Sequence, residues 1–251
     1  MGKQKYYYSK AKNYSKYRLD YSKSAIDFIF NTANLNQQST VADIGSGTGI
    51  LSKHFLDKVH DVYAIEPDND MRIVAEEIFE KNKSFHSIDG TSDQTHLSDN
   101  SIDLICVGQA IHWFDPNPTK DEFARILKPN GWLAILWYET NDTNLNRAYT
   151  QLRDMNIGWD NSIEPNRPPK KPLEYYFGTN NPQHKIFTED FIEIWEGFLG
   201  SAYSQSFAPN PNEIISQKFE QEHKKMFNKF AVDGKITFSY STHLVIGQPS
   251  L

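Results

Sequence analysis

A glycine-rich segment directly after a short apolar run is the feature that most constrains this chain. Residues Val41 to Gly49 read Val-Ala-Asp-Ile-Gly-Ser-Gly-Thr-Gly. The β-branched apolar run predicts a buried strand, and apolar residues that recur at helical spacing after Gly49 predict a helix. Glycines at alternate positions between the two let the backbone approach a ligand with no Cβ atoms in the way. The segment therefore predicts a cofactor-binding turn.

The chemistry of this turn narrows the class of ligand. Its Gly-x-Gly-x-Gly spacing lacks the third glycine of the dinucleotide fingerprint, and no Gly-Lys-Ser/Thr of a phosphate-binding loop follows. Asp43, at the strand end, would repel a pyrophosphate but can accept hydrogen bonds from loop amides or from an ammonium group. The next predicted strand, Asp61–Ile65, ends at Glu66, where a carboxylate can hold both hydroxyls of a ribose. The loop suits a cation better than a phosphate.

Motifs spread along roughly residues 10 to 140 resemble those of the class I S-adenosylmethionine-dependent methyltransferases. They are Val41 to Gly49, Glu66-Pro67, Ile88-Asp89-Gly90-Thr91 and Leu127-Lys128-Pro129-Asn130-Gly131-Trp132. The resemblance implies a doubly wound, Rossmann-like α/β fold: a seven-stranded, mostly parallel sheet with an N-terminal lid and a helical cap inserted before the last strands. It also implies S-adenosyl-L-methionine as the cofactor. The segments Gln109 to Phe114 and Tyr14 to Tyr21 resemble a small-molecule subgroup, within methyltransferase type 11, that includes trans-aconitate methyltransferase-like proteins.

The resemblance also assigns the residues that would contact the cofactor. Arg18 would pair with the cofactor carboxylate and Tyr14 would close the methyl-transfer chamber, although Leu19 stands where the subgroup commonly has a proline. For Met71, adenine contact and ordinary core packing are equally open. The predicted cofactor-binding set is Tyr14, Arg18, Asp43, Gly45, Ser46, Gly47, Glu66, Pro67, Met71, Asp89, Gly90, Thr91 and Gln109.

The residues after the fourth predicted strand, Ile102 to Val107, should face the methyl group, because ligands bind outside the carboxyl ends of strands in open α/β sheets. His112 is either a packed loop histidine or a general base, which makes it the one candidate catalytic residue. Trp113 is either a core aromatic or part of the substrate wall. The other candidate substrate-pocket aromatics, each of which packing would equally explain, are Tyr138, Trp195, Tyr203 and Phe207.

The length, 251 residues, allows one doubly wound domain with an addition. We expect a single methyltransferase domain made of a leader and lid (1–21), a cofactor-binding core (22–138), a cap and insertion (139–233) and a closing strand (234–251). The α/β alternation stops in the Asn-, Pro- and Lys-rich residues 139–185.

Within the cap and closing strand, the apolar spacing predicts three further elements. Residues 191–201 and 212–230 have helical spacing, and residues 235–240 with 243–247 predict a hairpin-like closing strand.

Composition limits the partners. A net charge of −6 gives no reason to expect a nucleic acid, although the Lys- and Tyr-rich leader is either a nucleic-acid-binding arm or a lid. The single cysteine, Cys106, lies in an apolar run and supports neither a disulfide framework nor a metal site, which fits a cytoplasmic setting. No apolar run is long enough for a membrane span or signal peptide. We expect a small-molecule methyl acceptor and a monomer or homodimer.

The predicted function is methyl transfer to a small molecule by in-line displacement, with a carboxylate as one candidate acceptor. Two alternatives stay open: a nicotinamide-dependent oxidoreductase, which shares the glycine turn and the ribose carboxylate, and a cofactor-binding module without turnover. The Asn/Asp-Pro-Pro-Tyr/Phe motif of nucleic-acid amino-group methyltransferases is absent from the sequence.

Overall fold

The computed structural model describes residues 2–155, 157–158, 160, 169–205 and 208–250, with side chains from residue 10 onward. The helices are α1 Gly2–Tyr17, α2 Lys23–Thr32, α3 Asn69–Phe79, α4 Pro116–Ile126, α5 Thr143–Asp154, α6 Trp195–Tyr203 and α7 Ile215–Phe230. The strands are β1 Thr40–Ile44, β2 Asp61–Ile65, β3 Phe85–Ile88, β4 Ile102–Gly108, β5 Leu127–Thr140, β6 Gln183–Ile194 and β7 Lys235–Gly247. Short 3₁₀ helices lie at Ser52–His54, Ile111–Trp113 and Leu173–Phe177.

The strands form one seven-stranded sheet in the order β3-β2-β1-β4-β5-β7-β6. β1 is parallel to both β2 and β4, with Val41 opposite Val62 and Leu104, and the pairs β2·β3 and β4·β5 are parallel as well. The predicted Rossmann-like, mostly parallel sheet is thereby confirmed. Because parallel strands end at the same edge, the sheet brings the loops after β1, β2 and β4 together.

The chain forms two compact units. One comprises Asp20–Tyr138, Arg167–Phe187 and Thr242–Leu251, and we call it the sheet unit. Its apolar residues lie in two clusters: Val41 belongs to one and Ala42 and Ile44 to the other, which explains why β1 is apolar at successive positions.

The other unit comprises Met1–Leu19, Glu139–Asn166 and Thr188–Ser241, and we call it the helical unit. It has its own core, in which Leu145 of α5, Phe198 of α6 and Phe219 and Phe227 of α7 are buried. The division of the chain into leader, core, cap and closing strand stays a prediction.

In the sheet unit, the structure differs from the sequence prediction at two elements. The helix expected after Gly49 is a 3₁₀ turn over Ser52–His54, in which His54 N–H bonds to the Leu51 carbonyl. Over so few residues, apolar spacings of 3 and 3.6 predict the same buried side chains, so the pattern could not separate the two. The turn expected at Asn130 and Gly131 instead lies within β5, where the pairing with β4 shifts register between Ile102 and Leu104.

Three further differences lie toward the carboxyl end. Residues 139–185, to which the sequence analysis assigned no individual helix or strand, contain α5, whose amino terminus is capped by the Asp142 carboxylate. Residues 191–194, predicted as helix, continue β6, because their exposure alternates at period two. The predicted hairpin is one continuous strand, β7. No helix in the described ranges is long and apolar enough to cross a membrane.

Candidate functional site

The loop between β1 and the first 3₁₀ turn has backbone conformations that only glycine adopts freely. The φ angles of Gly45, Gly47 and Gly49 are +72°, +56° and +80°. The amides of Gly45 and Ser46 both donate to the Ile65 carbonyl, at 2.8 and 3.1 Å, which fixes the loop against the end of β2. A Cβ atom at Gly45 would lie 2.6 Å from the Ala110 Cβ. Gly45 therefore has no room for a side chain, and the predicted close approach of a ligand to this backbone stays a prediction.

Glu66, just after β2, is held by the loop that precedes it and the helix that follows it. Its Oε2 accepts the Gly47 N–H at 2.8 Å, and its Oε1 accepts the Asp68 N–H at 2.9 Å. Burial raises the pKa of this carboxyl, and the two backbone hydrogen bonds oppose that rise. Each carboxylate oxygen can still accept a second hydrogen bond, so the group is oriented and able to bind a pair of hydroxyls.

Asp43, at the end of β1, is fully buried. Its Oδ2 accepts the Ser52 hydroxyl at 2.6 Å, whereas its Oδ1 and the buried Thr48 hydroxyl have no hydrogen-bond partner among the described residues. Burial, with a smaller contribution from the Glu66 charge, raises the pKa of the Asp43 carboxyl to about 7. A buried acceptor without a partner is costly, so Asp43 is a candidate to accept a hydrogen bond from a bound ligand.

The residues after β3 are connected to Glu66 by Arg72, which the sequence analysis missed. The Arg72 guanidinium donates to the Glu66 carbonyl at 2.7 Å and lies 3.0 Å from a carboxylate oxygen of Asp89. The Asp89 side chain itself is largely exposed. Gly90 is buried, and a Cβ there would lie 2.9 Å from the Gln94 carbonyl, to which the Thr91 amide donates at 3.1 Å. The third predicted motif is thus placed beside the second.

The other two residues predicted from the second motif and α3 lie at the helix start. Pro67 is exposed, and Met71 is half-buried in the first turn of α3, with its amide donating to the Asp68 carboxylate. Neither observation decides between adenine contact and packing for Met71, so both readings remain open.

After β4 the chain turns sharply at Gln109, whose φ is +57°. The Gln109 amide donates to the Leu136 carbonyl at 2.9 Å, and its side chain reaches the Tyr138 carbonyl at 3.4 Å. His112 and Trp113 follow in a 3₁₀ turn with ring centroids 5.0 Å apart. The Trp113 side chain is 58 % exposed, so it is not the core aromatic that the sequence allowed.

Tyr138 is half-buried, and its ring centroid lies 6.0 Å from that of the buried Tyr21. Tyr21 in turn fills the space that a Cβ at Gly108 would need. Tyr138 therefore packs against the opening segment of the sheet unit, and its predicted role in a substrate pocket stays a prediction.

The remaining predicted site residues belong to the helical unit. Arg18 lies 4.8 Å from the Tyr14 ring centroid and donates to the Gln205 side chain at 3.2 Å. Tyr203 is buried, and its hydroxyl donates to Glu220 at 2.8 Å. Trp195 packs on Phe198 and Phe227, and Phe207 lies outside the described residues. Lid and pocket roles for these residues stay predictions.

Sequence reasoning also missed two polar residues that support the glycine loop. Ser52 donates to Asp43, as described above, and Asp20 accepts from Lys53 and His54, each at 2.7 Å. These ion pairs hold the pKa of Asp20 at about 2, against the opposing effect of its burial. A serine near the start of a predicted helix was visible in the sequence, but nothing local marked it as the partner of Asp43.

Comparison with known proteins shows which family the region around the glycine loop matches. Residues 42–135 match the family described as "Methyltransferase domain". The chain is 32 % identical over 146 residues to an uncharacterized methyltransferase of Mycobacterium tuberculosis, covering 58 % of this chain and 52 % of the relative. It is 30 % identical over 121 residues to a malonyl-[acyl-carrier protein] O-methyltransferase of Marinomonas, covering 46 % and 44 %. The chain thus spans about half the length of the relatives it matches.

Solved structures show the same fold at low identity. The YcgJ protein of Bacillus subtilis has a TM-score of 0.55 at 18 % identity, covering 90 % of this chain and 98 % of its own. The MccD protein has a TM-score of 0.55 at 15 % identity, covering 91 % and 97 %. At these identities the likeness concerns the fold.

Proposed function

We propose that this chain transfers a methyl group to a small-molecule acceptor by in-line displacement. The premise is that it carries a class I S-adenosylmethionine-dependent methyltransferase domain. S-adenosyl-L-methionine is the cofactor of this family. The observation that carries the proposal is the pair of carboxyls at the glycine loop. Glu66 is half-buried and oriented by two backbone amides, and Asp43 is buried, with one oxygen that has no partner among the described residues.

The residues present fit this cofactor. In the proposal, the Glu66 carboxylate accepts the ribose hydroxyls and the open oxygen of Asp43 accepts the ammonium group of the methionine portion. Gln109 contacts the same amino-acid end, and the glycine loop allows the close backbone approach. Residues proposed to border the nucleoside are Gly45, Ser46, Gly47, Pro67, Met71, Asp89, Gly90 and Thr91.

The bound cofactor supplies an electrophilic methyl carbon on a sulfonium centre, and its leaving group is a neutral thioether. No residue therefore has to protonate a leaving group. The chain's contribution is to hold the acceptor in line with the breaking bond and to exclude water. His112 acts as a general base only for an acceptor that arrives protonated, such as a phenol or an amine.

We propose carboxylates as the first acceptor class. A carboxylate arrives already ionised and needs no base, and a relative of 30 % identity is named malonyl-[acyl-carrier protein] O-methyltransferase. The matched region covers 44 % of that relative, so the hint concerns a reaction type and not a specific acceptor.

The test begins with calorimetric titration of S-adenosylhomocysteine into the purified protein, with NAD as the parallel ligand. We expect micromolar binding of S-adenosylhomocysteine and none of NAD. Glu66→Gln keeps the shape of the side chain but removes the charge, and should weaken binding at least about tenfold. Glu76→Gln, on the exposed face of α3, is the matched control and should bind like the wild type.

Binding of NAD by the folded protein, or no binding of S-adenosylhomocysteine, would contradict the proposal. Turnover is then measured with radiolabelled S-adenosylmethionine and a panel of carboxylic acids, phenols and amines. Binding of S-adenosylhomocysteine without transfer to any member of the panel would favour a binding module over an enzyme.

A further inference from the structure

The terminal strand β6 is long, and three isoleucines on one of its faces are largely exposed in the described part of the chain. It is the last strand in the sheet order, and its outer edge has no strand paired to it in the described part of the chain. Ile186, Ile192 and Ile194 point to one face of β6 and are 58, 60 and 54 % exposed. Long apolar edge strands without proline are templates for pairing with another chain, and proteins ordinarily protect them. β6 has no proline in its twelve residues, and its charged side chains are Lys185, Glu189, Asp190 and Glu193.

The opposite face of β6 is partly covered by its own chain. Phe187 packs against Phe28 with ring centroids 5.9 Å apart, and the Lys185 ammonium lies 5.4 Å from the Phe28 ring centroid. Phe191 packs against Phe238 at 5.4 Å. These contacts fix which side chains share a face: the odd-numbered residues lie on the covered face and the isoleucines on the other.

The sequence of β6 is complementary to itself. Residues 185–193 read Lys-Ile-Phe-Thr-Glu-Asp-Phe-Ile-Glu, which is nearly symmetric about Glu189. Suppose that two copies of β6 pair antiparallel, with Glu189 of one copy opposite Glu189 of the other. Each residue before Glu189 then lies opposite the residue that follows Glu189 by the same number of positions in the second copy. Lys185 then faces Glu193, Ile186 faces Ile192, and Phe187 faces Phe191. Each pairing occurs twice, once on either side of the symmetry axis.

We propose that two copies of this chain associate through their β6 edges as a two-fold antiparallel pair centred on Glu189. Directly opposite side chains lie about 5 Å apart between Cβ atoms, close enough for the two Lys185–Glu193 ion pairs and the two Ile186–Ile192 contacts. Pairing of this kind is isologous, so each edge is used up and the assembly closes at a dimer.

Glu193 is half-buried and forms no ion pair with any described residue. Burial raises the pKa of its carboxyl to about 7, and an ammonium group placed opposite would lower it again. A lysine from the second copy would supply the missing cation. The inference does not depend on the proposed methyl transfer, because it concerns an edge remote in sequence from the glycine loop.

The experiment measures the mass of the full-length protein by sedimentation velocity across a micromolar concentration series. We expect a reversible dimer in the wild type. Lys185→Glu and Glu193→Lys should each weaken it by roughly tenfold or more, because both symmetric ion pairs become repulsive. The double variant that exchanges the two charges should restore the dimer to within about threefold of the wild type. Circular dichroism checks that each variant is folded.

Two further variants test the symmetry axis and control for an exposed isoleucine outside β6. Glu189→Gln removes a like-charge contact at the symmetry axis and should tighten the dimer. Ile214→Glu, at an isoleucine that is 91 % exposed elsewhere in the chain, should have no effect.

A wild type that stays monomeric, or a dimer whose affinity is unchanged by both single charge reversals, would overturn the proposal. So would a folded double variant that fails to recover. Titration of S-adenosylhomocysteine into the same variants reports separately on the cofactor site.

Discussion

At the scale of single residues, Asp43 shows a conflict between binding and stability. Its carboxyl is fully buried, and one oxygen lacks a protein partner. An ionised carboxylate in this position destabilises the ligand-free fold, yet the charge is what would attract an ammonium group. The proposed cofactor site accounts for a carboxylate at this position, whereas the burial of its charge works against the stability of the ligand-free fold.

This conflict predicts a pH-dependent effect of Asp43→Asn. The folded-state pKa of about 7 lies above the ordinary value of 3.8, so between these values the folded protein binds more protons than the unfolded chain. The wild type's free energy of unfolding should therefore fall as pH rises from about 4 to 7 and level off above. Asp43→Asn has no titrating carboxyl at this position, so its free energy of unfolding should not fall in this way. Between about pH 4 and 7 it should become more stable relative to the wild type, by at most about 4 kcal/mol.

The measurement is urea unfolding of the ligand-free proteins at pH 5 and pH 8. Asp121→Asn, on an exposed position of α4, serves as the control and should show no such trend. A stability difference between Asp43→Asn and the wild type that stays constant with pH would contradict the argument. The variant should also bind S-adenosylhomocysteine more weakly, although it is the more stable protein.

At the scale of elements, the glycine loop depends on space as well as on backbone conformation. Gly45 and Gly234 have almost the same φ, +72° and +73°. A Cβ at Gly45 would collide with Ala110, whereas a Cβ at Gly234 would meet nothing within 4 Å. The two positions therefore separate the cost of a left-handed conformation from the cost of crowding.

We expect Gly234→Ala to lower the free energy of unfolding by about 1 kcal/mol, the cost of a left-handed conformation for alanine. Gly45→Ala should cost about 1–3 kcal/mol more, because β1 or the segment at Ala110 must also move. Denaturant unfolding compares the two directly, and calorimetry should show loss of S-adenosylhomocysteine binding only in Gly45→Ala. Equal losses of stability in both variants would rule out crowding as the cause.

Elements were predicted well where their signals are local. β1, β2 and β4 were all predicted from a few consecutive residues, and the structure has them. The last four residues of β6, 191–194, were predicted as the start of a helix, because over so few residues Phe191, Ile192 and Ile194 fit either period. Pairing with β7 decided the matter, and that pairing joins segments far apart in sequence.

At the scale of the whole molecule, the chain divides into two compact units with separate apolar cores. The residues proposed to bind the nucleoside belong to the sheet unit. Loss of packing in the helical unit should then leave cofactor affinity largely intact, whereas loss of packing beneath the glycine loop should not.

We expect Phe219→Ala and Phe55→Ala to lower the free energy of unfolding by similar amounts, about 3–5 kcal/mol, because both side chains are fully buried. Phe219 packs in the helical unit against Tyr203 and His223. Phe55 packs in the sheet unit against Phe30, shortly after the glycine loop. Calorimetry at a temperature where both variants are folded should show weakened S-adenosylhomocysteine binding for Phe55→Ala alone. A clear loss of affinity in Phe219→Ala would show that the helical unit also determines binding.

The sequence alone determined the type of sheet and the edge at which the cofactor site is proposed. The glycine turn, the strand before it and Glu66 after the next strand are set by conformational preferences and hydrogen bonds within short stretches of chain, and such signals survive without a structure. Only the tertiary structure decided which groups those residues contact: Ser52 donates to Asp43, and Arg72 lies between the Glu66 carbonyl and Asp89. It also decided that β6 is the last strand in the sheet order. These contacts depend on strand order and loop path, and no local pattern encodes either.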